Sequence, residues 1–295
     1  MQLRGIIPPV VTPFTASQEL DLPRLKAHID WQLDRGVHGI FVLGTTGEFY
    51  ALDEAEKQAV VAAAVAHVGG RSPVFAGTGA ETTREVVRLT KMAEKEGAAG
   101  VSVITPYFIK PTQAELYDHF KRVAESTGLP VVLYNNPATC GGLSVEPDTV
   151  AKLAQVPNIV GIKDSSGDLQ NTIEILRSTA RDKFAVLNGR DTLILAALQF
   201  GAQGAIPASC NVAPDLCVGI YESFAKGDGQ AAKEFQARLH PVRTAMSLGT
   251  GNGAIKEALS LIGRPCGPNR SPVGPLGDDK RARLMGILEK AGLLP

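Results

Sequence analysis

Metal-ligand spacing is missing from this sequence. Its five histidines are scattered, with no HxH or HExxH arrangement, and its four cysteines, Cys140, Cys210, Cys217 and Cys266, form no CxxC pair. A dedicated zinc site is therefore not expected, and metal-dependent chemistry loses weight. A chain of 295 residues is long enough to build a core without disulfide staples, so reduced thiols and a cytoplasmic location are the expectation. An excess of one charge is also missing. Lys and Arg number 30 and so do Asp and Glu, which speaks against nucleic acid or an anionic membrane as a partner. No apolar run approaches the roughly 18 residues that cross a bilayer. The opening MQLRGIIPPVVTPF is broken by prolines and lacks a small-residue cleavage site, so it does not read as a signal peptide. Linkers and low-complexity segments are lacking too. No GxGxxG opens the first helix, which counts against a doubly wound nucleotide-binding sheet.

What is there is a rotation of strands and helices. Apolar, strand-like runs begin at Gly5, Gly39, Pro73, Gly100, Pro130, Asn158, Phe184 and Gly204. Amphipathic stretches separate them, such as ETTREVVRLTKMAEKEG, which puts Val86, Leu89, Met92 and Ala93 on one helical face and ends at Gly97, a C′ glycine. Alternating strands and helices imply parallel pairing with helical crossovers. Eight such units with nearly continuous apolar strands predict an α/β fold, a (β/α)8 TIM barrel. After Asn211 the pattern is helical only. The first of these helices closes the barrel over residues 1–225, and residues 226–295 form a C-terminal helical appendage.

In such barrels chemistry sits at the carboxyl ends of the strands. Those ends carry Thr45, Thr46 and Glu48, then Thr78, Tyr107, Tyr134, Asn135, Lys163, Asp164, Gly189, Arg190, Ser209 and Asn211. Lys163 is the only lysine among them. It ends NIVGIKD, a strand whose Ile159, Val160 and Ile162 belong in a core. Burial favours the uncharged form of an amine, and an uncharged amine is a nucleophile toward carbonyls. The alternative is a structural lysine paired with Asp164 or Glu48 at the barrel rim. GTTGE, Gly44 to Glu48, offers turn amides and two hydroxyls to an anion; it can equally be a βα turn capped by threonine. Tyr134, one strand from Lys163, is either an acid/base or a buried phenol with a carbonyl partner. Arg190 either grips a second substrate carboxylate or pairs with Asp191.

The motifs GTTGE, TPYF, YNNP and GIKDSSGD, in that order, resemble the dihydrodipicolinate synthase / N-acetylneuraminate lyase family. The likeness extends to GIIPPVVTPF, AGTGA and GNGAIKEALSLIGRP, and so covers essentially the whole chain. It implies a class I pyruvate-dependent aldolase acting on a 2-keto acid, commonly a homotetramer, with no metal or organic cofactor. It makes Lys163 the Schiff-base lysine and Tyr134 the acid/base that contacts the imine. Thr45 and Thr46, in the turn with Gly47, match the pair that binds the pyruvate carboxylate, and Thr45 also relays protons. Gly189 and Ile206 match backbone that lines the pocket. A distal pocket of Thr139, Arg190, Ser209, Asn211 and Asn252 suits a polyhydroxylated tail. Two departures stand out. Thr139 occupies the position of the arginine by which dihydrodipicolinate synthases hold their aldehyde, and Phe108 replaces a tyrosine donated across a subunit interface. GEF and IKEALSLIGRPCGPNRSP look more like the 2-keto-3-deoxy sugar-acid aldolases, such as 2-keto-3-deoxygluconate aldolase. A synthase, a dehydratase of the same family and a non-catalytic keto-acid-binding barrel are the competing readings.

Overall fold

The structure, a computed structural model, describes residues 3–294. Eight parallel strands stand in the order β1-β8-β7-β6-β5-β4-β3-β2. They are β1 (Gly5–Ile6), β2 (Ile40–Val42), β3 (Val74–Gly77), β4 (Gly100–Ile104), β5 (Val131–Asn135), β6 (Ile159–Asp164), β7 (Ala185–Asn188) and β8 (Gly204–Ala205). The ring closes where β2 meets the chain after β1: Phe41 N–H donates to Pro8 O at 3.0 Å, and Val10 N–H donates to Phe41 O at 2.9 Å. Helices follow each strand, from α1 (Leu22–Asp34) through α2 (Glu54–Val68), α3 (Thr83–Lys95), α4 (Gln113–Glu125), α5 (Pro147–Leu153), α6 (Leu169–Ser178) and α7 (Ile194–Phe200) to α8 (Pro214–Ala225). This is the (β/α)8 barrel that the alternation predicts.

Two differences from the sequence reading have a common cause. The first and last strand runs extend over many residues in sequence, yet β1 and β8 are two residues each. Pro8, Pro9 and Pro207 have no N–H to donate to a ladder, so regular pairing stops before them.

Strand alternation sorts the core into two clusters. Ile7, Phe41, Phe75, Val132, Leu187 and Ile206 fill the barrel, while Ile40, Val42, Val101, Val103 and Leu133 face the helices. On α3, Val86, Leu89 and Ala93 are buried and Met92 half-buried. Gly97 has φ +82°, the left-handed geometry that ends a helix on glycine.

β2 and β3 approach too closely for a side chain at the end of β3. A Cβ on Gly77 would lie 2.0 Å from the carbonyl oxygen of Leu43. Backbone cannot yield as a side chain does, so Gly77→Ala is expected to destabilise the fold by about 3 kcal/mol or more. A thermal unfolding midpoint equal to that of the unaltered protein would contradict this.

Beyond the barrel, α9 (Gly229–Ala245) packs along α8 and α7, and α11 (Asp278–Lys290) packs on α9 and α10 (Gly253–Leu261). The chain around α10 returns to the carboxyl ends of the strands. No helix of the described residues is long and apolar enough to cross a membrane.

Candidate active site

Tyr134 and Lys163 are partners in register on β5 and β6, at the carboxyl ends of both strands. Alternation turns the Lys163 side chain into the barrel mouth and the next residue, Asp164, outward. Asp164 is buried and fully occupied there: Oδ1 accepts from the Asn135 amide at 3.0 Å, and Oδ2 accepts from the Thr172 hydroxyl at 2.7 Å. Lys163 itself is 4% exposed, and no carboxylate among the described residues lies within 4 Å of its amine. Instead Nζ stands 4.1 Å from the centre of the Tyr134 ring and 5.4 Å from that of Phe41. The ion-pair alternative for Lys163 is therefore wrong, since both of its suggested partners are engaged elsewhere.

Glu48 has a different lysine. Lys256 Nζ on α10 lies 2.7 Å from Glu48 Oε1, with both side chains almost fully buried. Lys256 also donates to Pro268 O at 2.9 Å and sits 4.2 Å from the centre of the Phe14 ring. Burial outweighs the attraction of Glu48 and lowers the pKa of this amine. Glu48 Oε2 accepts from Arg270 N–H at 3.1 Å. Next to this pair, the Asn252 amide donates to Thr46 O at 2.6 Å. The carboxy-terminal segment thus clamps the GTTGE turn from outside. Lys256 carried no signal of this role, being one polar residue on a helix rich in apolar ones.

The clamped turn is set up for an anion. Leu43 and Glu48 flank it with φ of +57° and +54°, a strained geometry for residues with side chains. Gly47 N–H and Glu48 N–H close the turn onto Gly44 O and Thr45 O. The amides of Thr45 and Thr46 donate to no acceptor among the described residues. The Thr46 hydroxyl likewise has none. The helix that follows is capped by Asp53, not by threonine, so the capping alternative fails. Gly47 contributes through its backbone: a Cβ there would lie 3.2 Å from both Leu43 N and Val10 O, and its own carbonyl is held by the Thr12 hydroxyl at 2.6 Å.

Thr45 links the turn to Tyr134, with Oγ1 3.4 Å from the phenol oxygen. Sequence reasoning missed a further member, Asn136, whose amide donates to the Tyr134 oxygen at 3.0 Å. A donor on that oxygen stabilises a phenolate and leaves the phenol proton free for Thr45 or a ligand. Asn136→Ala is expected to lower kcat about 10-fold while leaving covalent capture of pyruvate intact, the loss typical of one hydrogen bond to a developing charge. Rapid-quench trapping of the pyruvate adduct alongside steady-state kinetics checks the split.

These groups line one cavity of about 280 Å³, together with Gly189, Arg190, Ile206, Arg243 and Asn252. Three residues expected in it are absent. Ser209 is fully buried and bound to Asp191, its N–H 2.7 Å from Oδ2. Asn211 is equally enclosed: its oxygen accepts from Val11 N–H and His28, and its amide donates to Pro9 O and Ala208 O. Burial holds His28 near pKa 4, so its neutral ring serves as the donor. Both residues brace the floor of the barrel mouth. Thr139 is exposed and lines an adjoining cavity of about 330 Å³ with Thr45, Phe49, Tyr50, Ile104 and Tyr107. Arg190 does not pair with Asp191; the guanidinium facing that carboxylate belongs to Arg243, at 3.7 Å. Phe108 is 82% exposed on the loop after β4. Tyr107 beside it faces the Thr45 side, its phenol pKa raised by burial and then by Glu81. Among the described residues no three His, Cys, Asp or Glu side chains gather as a metal site. A larger cleft, about 520 Å³, surrounds Lys152 and Asn158 and contains none of the strand-end residues.

A model of the Dihydrodipicolinate synthetase family matches residues 2–291. The chain belongs to that family. A 4-hydroxy-tetrahydrodipicolinate synthase of Methanoculleus marisnigri is 40% identical over 290 residues, which span 98% of this chain and 99% of that one. An uncharacterized DapA-like lyase of Halobacterium salinarum is also 40% identical, over 99% of this chain and 95% of its own. Among solved structures, YagE of E. coli K12, a family member in complex with pyruvate, superposes with a TM-score of 0.96 at 38% identity, covering 99% of this chain and 100% of that one. Dihydrodipicolinate synthetase family members are lyases of the class I aldolase type, which hold pyruvate as a lysine imine without a cofactor. This chain is a lyase of that type.

Proposed function

We propose that the protein cleaves a 2-keto-3-deoxy sugar acid, of the 2-keto-3-deoxygluconate kind, into pyruvate and an aldehyde through an imine on Lys163. The observation that carries this is the buried amine of Lys163, with no carboxylate of the described residues within 4 Å, flanked by Tyr134 and the open amides of Thr45 and Thr46. The Lys163 amine attacks the C2 ketone, water leaves, and the protonated imine becomes an electron sink. Thr45 and Thr46 hold the carboxylate. Tyr134, left as a phenolate once its proton has gone to the departing water, takes the proton of the C4 hydroxyl, directly or through Thr45, and the Asn136 amide supports that phenolate until it does. The C3–C4 bond breaks, the aldehyde departs, and the enamine left on Lys163 is protonated at C3. Hydrolysis of the imine releases pyruvate and regenerates the amine. In this reading residues 226–295 serve the barrel of residues 1–225 by holding the carboxylate turn through Asn252 and Lys256. The exposed Phe108 and Ile109 suit burial against a second copy, in keeping with a homotetramer.

The names of the relatives favour a second reading, 4-hydroxy-tetrahydrodipicolinate synthase. Against it stands Thr139, a short hydroxyl residue outside the lysine cavity, which cannot replace a bidentate guanidinium for an aldehyde carboxylate. Product analysis separates the two. Pyruvate and an aldehyde from 2-keto-3-deoxygluconate support the aldolase. A cyclic product from pyruvate and aspartate semialdehyde, with no sugar-acid cleavage, would make it a synthase, and a product that keeps all its carbons would make it a dehydratase.

A further inference from the structure

Two guanidinium groups stand at the far end of the lysine cavity with less negative charge around them than they need. Arg190, on the loop after β7, and Arg243, on α9, line both the 280 Å³ cavity of Lys163 and an adjoining polar cleft of about 390 Å³. Among the described residues no carboxylate lies within 4 Å of the Arg190 guanidinium, and the group accepts no role in the hydrogen bonding of the fold. It rests instead on Gly167, where a Cβ would come within 2.9 Å of Nε. That Cβ would be nearer to Nε and Nη2, at 2.9 and 3.1 Å, than to Cζ, at 3.4 Å, so the glycine makes room for this edge of the guanidinium and Nη1 points away from it.

Arg243 is hardly better satisfied. Its one carboxylate is Asp191, 3.7 Å away and beyond hydrogen-bond reach, and its buried Nε has no partner. Asp191 is already committed, since Oδ1 accepts from Ala208 N–H and Oδ2 from Ser209 N–H. No other acid of the described residues lines either space. Two positive charges therefore share one negative charge in a half-enclosed wall, where an unsatisfied guanidinium N–H is costly. Thr192 and Ser247 add hydroxyl donors around the cleft. The carboxylate of the keto acid is not the missing anion, because the open amides of Thr45 and Thr46 lie beside Lys163.

We infer that Arg190 and Arg243 form a second oxyanion subsite, so that the aldehyde half of the substrate ends in a carboxylate or a phosphate. Planar forks suit either group. The substrate class is then a 2-keto-3-deoxy sugar acid charged at both ends, an aldaric acid or a terminal phosphate ester. This rests on the aldolase reading of Lys163.

A matched aldehyde series tests it in the direction of aldol addition to pyruvate: D-glyceraldehyde, tartronate semialdehyde and D-glyceraldehyde 3-phosphate. These share a hydroxylated three-carbon frame and differ at the terminus. One charged aldehyde is expected to exceed glyceraldehyde in kcat/KM by about 100-fold, as for a charge-assisted bidentate contact, and which one does so identifies the anion. In Arg190→Gln and Arg243→Gln that ratio is expected to fall toward one, with Arg190→Lys intermediate because it keeps charge but loses the fork. Glyceraldehyde used as well as both charged aldehydes overturns the subsite, as do variants that lower all three rates alike. The unaltered protein decides by itself if a variant fails to fold. If no aldehyde reacts, it is the aldolase reading that fails. The subsite is then read by calorimetric titration with glycerol 3-phosphate and tartronate against glycerol. Binding of a charged probe that is lost in both variants sustains it, and binding no tighter than that of glycerol overturns it.

Discussion

Lys163→Ala is expected to lower turnover by about 10⁴-fold or more and to leave the barrel folded. Both halves follow from the same environment. Lys163 is buried at the end of β6 with aromatic rings for neighbours and no acid of the described residues in contact. A lysine that holds a fold together does so through a partner, and losing it strands a buried carboxylate. Here removal strands nothing: Asp164 keeps Asn135, Ser166 and Thr172, and Glu48 keeps Lys256. What remains is a small void above Phe41, so the thermal unfolding midpoint is expected to stay within about 5 °C. Turnover has no such reserve, because among the described residues no second amine lines the cavity to form the imine. A variant that keeps its activity contradicts the assignment. One that unfolds would mean that the lysine is structural after all.

Lys256→Met is expected to have the second largest effect, this time on both stability and binding. The Lys256–Glu48 pair lies buried under the carboxylate turn, and burial lowers the lysine pKa despite its partner. The sign is that of a group less willing to hold its proton folded than unfolded, so charging it works against the fold at neutral pH and that cost fades as pH rises toward the unfolded value. A pair of this kind is poorly explained as a source of stability. It is well explained as a clamp that fixes Glu48 in its left-handed conformation and, through it, the amides of Thr45 and Thr46. Removing Lys256 alone leaves a buried, unpaired carboxylate and is expected to cost about 3–5 kcal/mol. The double variant Glu48→Gln/Lys256→Met removes the charge and keeps an acceptor for Arg270 N–H, so most of that stability is expected to return. Pyruvate binding is not: its KM is expected to stay about 10-fold higher, as for one weakened contact to a charged group. Denaturant unfolding and pyruvate saturation curves read the two effects separately. Recovery of both together would make the pair merely structural.

How much of this was visible in the sequence depended on how local each feature is. Parallel strands buried on both faces read as apolar runs, so the barrel emerges from NIVGIKD, PVVLYNNP and their counterparts. Lys163 stands out because it breaks that rule at a strand end, and GTTGE because its glycines and threonines are local turn chemistry. Orientation and long-range pairing were not legible. Ser209 and Asn211 sit at the right end of β8, yet the turn after Pro207 directs them to Asp191, Val11 and His28 instead of into the cavity. Asn136 follows Tyr134 by two residues, and only the bend after β5 brings its amide onto the phenol. Lys256 and Glu48 lie on elements far apart in the chain, as do Arg243 and Asp191, and no periodicity links such pairs.

The measurement that bears most directly on the central claim is reduction of the protein with borohydride in the presence of pyruvate, followed by peptide mass mapping. The account predicts one reduced pyruvyl group, carried by the peptide that contains Lys163 and absent from Lys163→Ala. No adduct, or an adduct on Lys256 or a surface lysine with Lys163 unmodified, would contradict it.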